Sequence, residues 1–123
     1  MRKALVAIAL IAVFANPQLL SAQQAIDTAQ AQDQMLSRVF EAVRAYAQSI
    51  GIEESWIGYC QEELHLQTYA HPPDGYVPFG VNYDKITDRK RLDEILLVRQ
   101  NYTTSFITLC LANVKKTLAD ARR

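Results

Sequence analysis

Two cysteines, two histidines and a scatter of carboxylates and serines are the residues of this 123-residue chain whose types could do chemistry. Cys60 and Cys110 are the only cysteines. In an oxidising compartment such a pair forms one intramolecular disulfide, and closing a loop of about 50 residues would stabilise a small domain by on the order of 4 kcal/mol. The alternatives are two buried thiols or a reactive one. A reactive thiol needs a CxxC pair or a cationic neighbour to lower its pKa, and neither is present. His65 and His71, with Glu62, fall short of a metal site: a spacing of six does not share a helix face, unlike the i, i+4 pair of zinc helices. Ser49, Ser55 and Ser105 lack the glycines of a nucleophile elbow. The pairs Glu53-Glu54, Glu62-Glu63 and Asp93-Glu94 are adjacent in sequence, so each splits across two helix faces and reads as solvated surface, not as an acid–base couple. With four glycines in all, no phosphate-cradling loop can be built. The expectation is a protein without catalytic residues, metal or cofactor.

Aromatic residues offer a different chemistry, that of recognition. Tyr69, Tyr76, Phe79 and Tyr83 alternate with three prolines and two glycines, and with Trp56 and Tyr59 nearby this region holds six of the eleven aromatics. Rigid aromatic loops provide contact area at little entropic cost, so Trp56, Tyr69, His71, Tyr76, Phe79 and Tyr83 are the expected binding residues for a protein partner. The competing structural role for the same loop is a lid over the open end of a small core.

The elements that must position these residues follow from the hydrophobic pattern. Met1-Arg2-Lys3 precedes an unbroken apolar run from Ala4 to Ala15, stopped by Asn16-Pro17. The run is too short to span a bilayer, which takes roughly 20 residues, but suits the core of a secretory signal peptide. Ser21-Ala22 supplies a cleavage site after Ala22, with Ala15 as second choice. Residues 1–22 are therefore read as a signal peptide, 23–34 as a Gln- and Ala-rich arm that frays, and 35–123 as the helical domain. The mature chain should be periplasmic or secreted, with no stable membrane insertion. Leu36, Val39, Phe40, Val43, Tyr46, Ala47 and Ile50 mark a first helix, from about Asp27 or Asp33 to Ile50, ended by Gly51. Trp56, Tyr59, Cys60 and Leu64 mark a second, from about Glu53 to Tyr69, ahead of the helix-breaking His71-Pro72-Pro73-Asp74-Gly75. Capped by Thr87 or Asp88, a third stripe from Leu92 through Ile95, Leu96, Tyr102, Phe106, Leu109, Cys110, Val114 and Leu118 would be about 50 Å long if unbroken. That exceeds what the first helix would cover, so a break is expected at Asn101–Ser105. Arg99 and Asn113 fall in register with the stripe and either mark its edge or, if Arg99 is buried, require for it a carboxylate partner from the acidic first or second helix. The fold class is all-α, a bundle of three to four helices with one disulfide.

Charge is balanced overall at 13 basic and 13 acidic residues, but Asp27 to Asp84 holds nine acidic and two basic while Lys85 to Arg123 holds nine basic and four acidic. Complementarity between packed helices accounts for this segregation, and the near-neutral total argues against nucleic acid as a partner. In size, export and cysteine number the chain resembles the small acid-stress periplasmic chaperones, although Trp56 and Cys60 are spaced more widely than the close Trp-x-Cys pattern of that family. The resemblance implies an acid- or envelope-stress chaperone as the alternative to the leading expectation, a non-enzymatic interaction module. Immunity and inhibitor proteins share the same size and export.

Overall fold

A computed structural model describes residues 17–74, 76, 86 and 88–122, and the apolar run at residues 4–15, expected above to be a signal-peptide core, lies outside them. Among the described residues there are three helices and no strands: α1 (Pro17–Ile50), α2 (Ser55–Ala70) and α3 (Arg89–Ala121). None is long and apolar enough to cross a membrane.

Helix α1 stops where the sequence says it must. Gly51 takes φ 72°, its N–H donates to the Gln48 carbonyl, and the Ile52 N–H reaches back to the Ala47 carbonyl at 3.0 Å. These two bonds satisfy carbonyls that the helix end would otherwise strand, and Ile52 packs against the core beside them. The start of α1 differs from expectation. The helix reaches back through residues 23–34 to Pro17, burying Thr28 and Ala31 in line with Met35, Val39, Val43 and Ala47. Small residues continue the stripe there, so a search for large apolar side chains stops short of it.

Asp88 caps α3, its carboxylate accepting from the Lys90 N–H at 3.0 Å. The helix then runs 33 residues without interruption, so the expected break at Asn101–Ser105 is absent and the helices number three, not four. Two physical facts explain this. Thr103 is buried in the helix interface, where packing holds its β-branched side chain, and Thr108 just beyond the stretch turns its hydroxyl back to the Thr104 carbonyl at 2.9 Å. And α1, at 34 residues, is long enough to cover a partner of about 50 Å.

Helices α1 and α3 run parallel. Gln24 Nε2 donates to the Ile86 carbonyl at one end, and Lys115 Nζ to the Ile50 carbonyl at the other, joining residues 62 and 65 apart respectively. A near-constant offset means the two chains advance together. Helix α2 opposes α3: Cys60 is bonded to Cys110, and further along the chain Tyr76 meets the earlier Tyr102, with ring centroids 5.2 Å apart. At 16 residues, about 24 Å, α2 covers only half of the longer pair. Beyond α2, the ring of Tyr76 touches Tyr102 of α3, and the Ile86 carbonyl accepts from Gln24 of α1.

The core is where three stripes meet: Met35, Val39, Val43 and Ala47 from α1, Ile57, Cys60 and Leu64 from α2, and Leu92, Ile95, Leu96, Ile107 and Leu111 from α3. Ile107 and Leu111 are its fully enclosed centre. Arg99 lies inside the stripe at 3% exposure, not at its edge, whereas Asn113 is exposed.

Candidate functional site

The residues first suspected of chemistry are dispersed. Cys60 and Cys110 are bonded to each other, with Cα atoms 5.8 Å apart. Ser49 donates its hydroxyl to the Tyr46 carbonyl at 2.7 Å. Asp93 is engaged by Arg89 at 2.9 Å, while Glu53, Glu54, Glu62, Glu63 and Glu94 all face solvent. His65 and His71 are exposed on α2 and just beyond its end. Among the described residues no three His, Cys, Asp or Glu side chains gather in a way that could hold a metal ion.

The expected aromatic site is spread out as well. Trp56 and Tyr69 stand at opposite ends of α2, about 20 Å apart along its axis. Tyr76 is only 6% exposed and spends its ring on Tyr102, which in turn lies 6.2 Å from Phe106. Tyr76 itself therefore covers α3 instead of facing solvent. Phe79 and Tyr83 lie outside the described residues.

A different set does come together, on the outer side of the α2–α3 pair. Tyr59 and Leu109, 47% and 66% exposed, flank a groove of about 320 Å³ floored by Phe106, Cys110 and Val114, with Glu63 and Asn113 on its rim. Trp56 sets its ring edge-on to Tyr59, centroids 5.6 Å apart and planes at 87°, the favoured arrangement of two aromatic quadrupoles. Seven residues beyond Tyr59, two helical turns along the same face, Leu66 is 68% exposed, and Tyr69 follows a turn later, almost wholly exposed. The α2 side of this surface is acidic. Glu62 and Glu63 interrupt the apolar row, and α2 contains no lysine or arginine. By contrast, the groove on the α1–α3 side is polar, with Arg38, Gln34, Gln100 and the Arg89–Asp93 ion pair around Leu97.

No protein-family model, curated protein or solved structure matches this chain.

Sequence reasoning placed both Tyr59 and Leu109 on buried stripes. The signal that separates them was present in the cysteines. Successive helical residues are turned by about 100° from one another. If Cys60 and Cys110 must face each other, then Tyr59 and Leu109, each immediately before a bonded cysteine, are swung out of the contact line. Both are swung toward the same side because α2 and α3 are antiparallel and joined at those cysteines, which periodicity within one helix cannot reveal.

Proposed function

We propose that the mature protein is an exported, non-enzymatic interaction module that docks a protein partner on the outer α2–α3 face. The observation that carries this reading is the shared groove of Tyr59 and Leu109, exposed large apolar side chains brought together by tertiary structure and extended by Leu66 and Tyr69. An apolar patch rimmed by charge is the usual anatomy of a docking surface, and aromatic anchors carry most of the binding energy in such sites. The rim selects the partner's chemistry. With Glu62 and Glu63 beside the row and no lysine or arginine on α2, the surface that matches this side is an apolar segment flanked by lysine or arginine. Of the residues first expected to bind, Trp56 and Tyr69 belong to this helix, Tyr76 is buried against Tyr102, and Phe79 and Tyr83 lie outside the described residues.

The test is affinity capture from periplasmic extract with wild type, a Tyr59→Ala/Leu109→Ala variant and a Glu62→Gln/Glu63→Gln variant, each checked for folding by circular dichroism. A stoichiometric partner should be held by wild type, lost by the apolar variant, and eluted at lower salt from the Gln variant. A partner retained by the folded Tyr59→Ala/Leu109→Ala protein would overturn the assignment of this face.

Export follows from the charged and apolar start of the chain, and the disulfide fits the oxidising compartment to which it leads. Cleavage after Ala22 would leave the fold's known contacts whole: the first tertiary hydrogen bond comes from Gln24, and Thr28 is the first buried residue among the described side chains. Intact-mass analysis and N-terminal sequencing of the exported protein should therefore begin at Gln23. A chain beginning at Met1 in that fraction would contradict processing.

A further inference from the structure

The two residues at the centre of the proposed docking face are the immediate sequence neighbours of the two bonded cysteines, Tyr59 before Cys60 and Leu109 before Cys110. One covalent link thus sets the distance between them. The remaining apolar attachments of α2 are few. Its buried face comprises Ile57, Cys60, Leu64 and Thr68, of which two are large aliphatics, and Trp56 in its first turn packs partly buried against the core. Thr68 turns its hydroxyl back to the Leu64 carbonyl at 2.8 Å and so adds no bond to another helix. Glu54 provides no side-chain cap, and its ion pair with Arg44 is half exposed at both ends, where water screens it. A helix of 16 residues is marginal unless tertiary packing holds it. Helices α1 and α3 are differently placed, each contributing five buried apolar residues to a pair about 50 Å long.

We infer that the Cys60–Cys110 disulfide is a redox gate on the docking face: oxidation assembles Tyr59 and Leu109 into one surface, and reduction releases α2 and dismantles it. This rests on the docking face proposed above. The geometry also sets the order of events. Cys60 is fully buried, whereas Cys110 is partly exposed and lines the open groove. A dithiol reductant therefore attacks Cys110 Sγ with one thiolate, forming a mixed disulfide there and expelling Cys60 as a thiolate that takes up a proton. The reductant's second thiolate then attacks its own mixed-disulfide sulfur, releasing the Cys110 thiolate, which is protonated in turn. The reductant leaves as a disulfide, and two electrons and two protons have passed to the chain. Before export the chain is a dithiol, so the face is absent until the protein reaches an oxidising compartment.

Hydrogen exchange read by mass spectrometry on the mature protein, with and without dithiothreitol, tests the gate, and a Cys60→Ser/Cys110→Ser variant repeats it without reductant. Amides of residues 57–70 should lose roughly a hundredfold or more of their protection on reduction, while the central turns of α1 and α3 keep theirs. Protection of α2 that survives reduction would show that packing alone holds it and overturn the gate. Simultaneous loss from all three helices would overturn it too, since the disulfide would then support the whole fold instead of one face. No partner enters this measurement, so it can fail while the Tyr59→Ala/Leu109→Ala variant still loses its partner, and the reverse.

Discussion

Replacing Ile107 with alanine is expected to cost about 2–5 kcal/mol of folding stability, a large part of the total for a domain of this size. Ile107 is fully enclosed at the level where α3 faces both other helices, and it belongs to the same cluster as Val43, Ile57 and Leu111. Truncation removes three carbons from a site whose walls are contributed by three separate helices, so the cavity cannot collapse by moving one of them. Urea unfolding followed at 222 nm measures the loss as a lower midpoint. Leu109→Ala, two residues away, is the internal control. That side chain is mostly exposed, and its truncation should change stability by no more than about 0.5 kcal/mol. Equal effects at the two positions would contradict the orientation of α3, and with it the exposed groove. The same pair matters for function, because a docking-face variant can be interpreted only if the surface residue is separable from the core residue beside it.

Asn101→Pro should be similarly damaging, by about 3 kcal/mol or more, for a reason that has nothing to do with burial. Asn101 is exposed in the interior of α3. Proline there removes the amide that continues the helical ladder and drives its ring against the carbonyl one turn earlier. Were the Asn101–Ser105 stretch a bend, proline would be accommodated at little cost. Denaturant midpoints of Asn101→Pro and Asn101→Ala, taken together, separate these cases: a severe loss for proline and near-neutrality for alanine is the result that a continuous helix demands. A mild effect of proline would restore the interrupted helix that the sequence pattern suggests.

That contrast marks where sequence reading stopped. Asn101-Tyr102-Thr103-Thr104-Ser105 looks like a weak point because β-branched and hydroxyl side chains compete with helix formation locally. Their competition is lost when Thr103 is buried in the interface, where tertiary packing outweighs local propensity. Arg99 shows the same limit. Its charge suggested an edge, but its place four residues before Thr103 and four after Ile95 puts it in the centre of the buried face. Tyr76 was legible as part of an apolar, turn-rich loop, and the N–H of Tyr76 does close a turn onto the Pro73 carbonyl at 3.0 Å. Whether its ring would serve recognition or cover the core depended on Tyr102 being within reach, and that depends on the path of the chain after α2.

What this sequence determines alone is what acts within a few residues or through cysteine pairing: the helical character of the chain, the stop at Gly51, the cap at Asp88, the proline end of α2, and a disulfide between the only two cysteines. The helix signals follow from backbone stereochemistry and short-range hydrogen bonding, which need no neighbour, and the disulfide follows from there being only two cysteines to pair. Tertiary structure decided the rest. Helix α3 stays whole because α1 is equally long and parallel to it, and Tyr59 and Leu109 share a surface because α2 crosses α3 in the opposite sense at Cys60 and Cys110. A hydrophobic stripe specifies that a helix face will be covered, but its outermost residues are buried or exposed according to where the neighbouring helix ends and how it is turned.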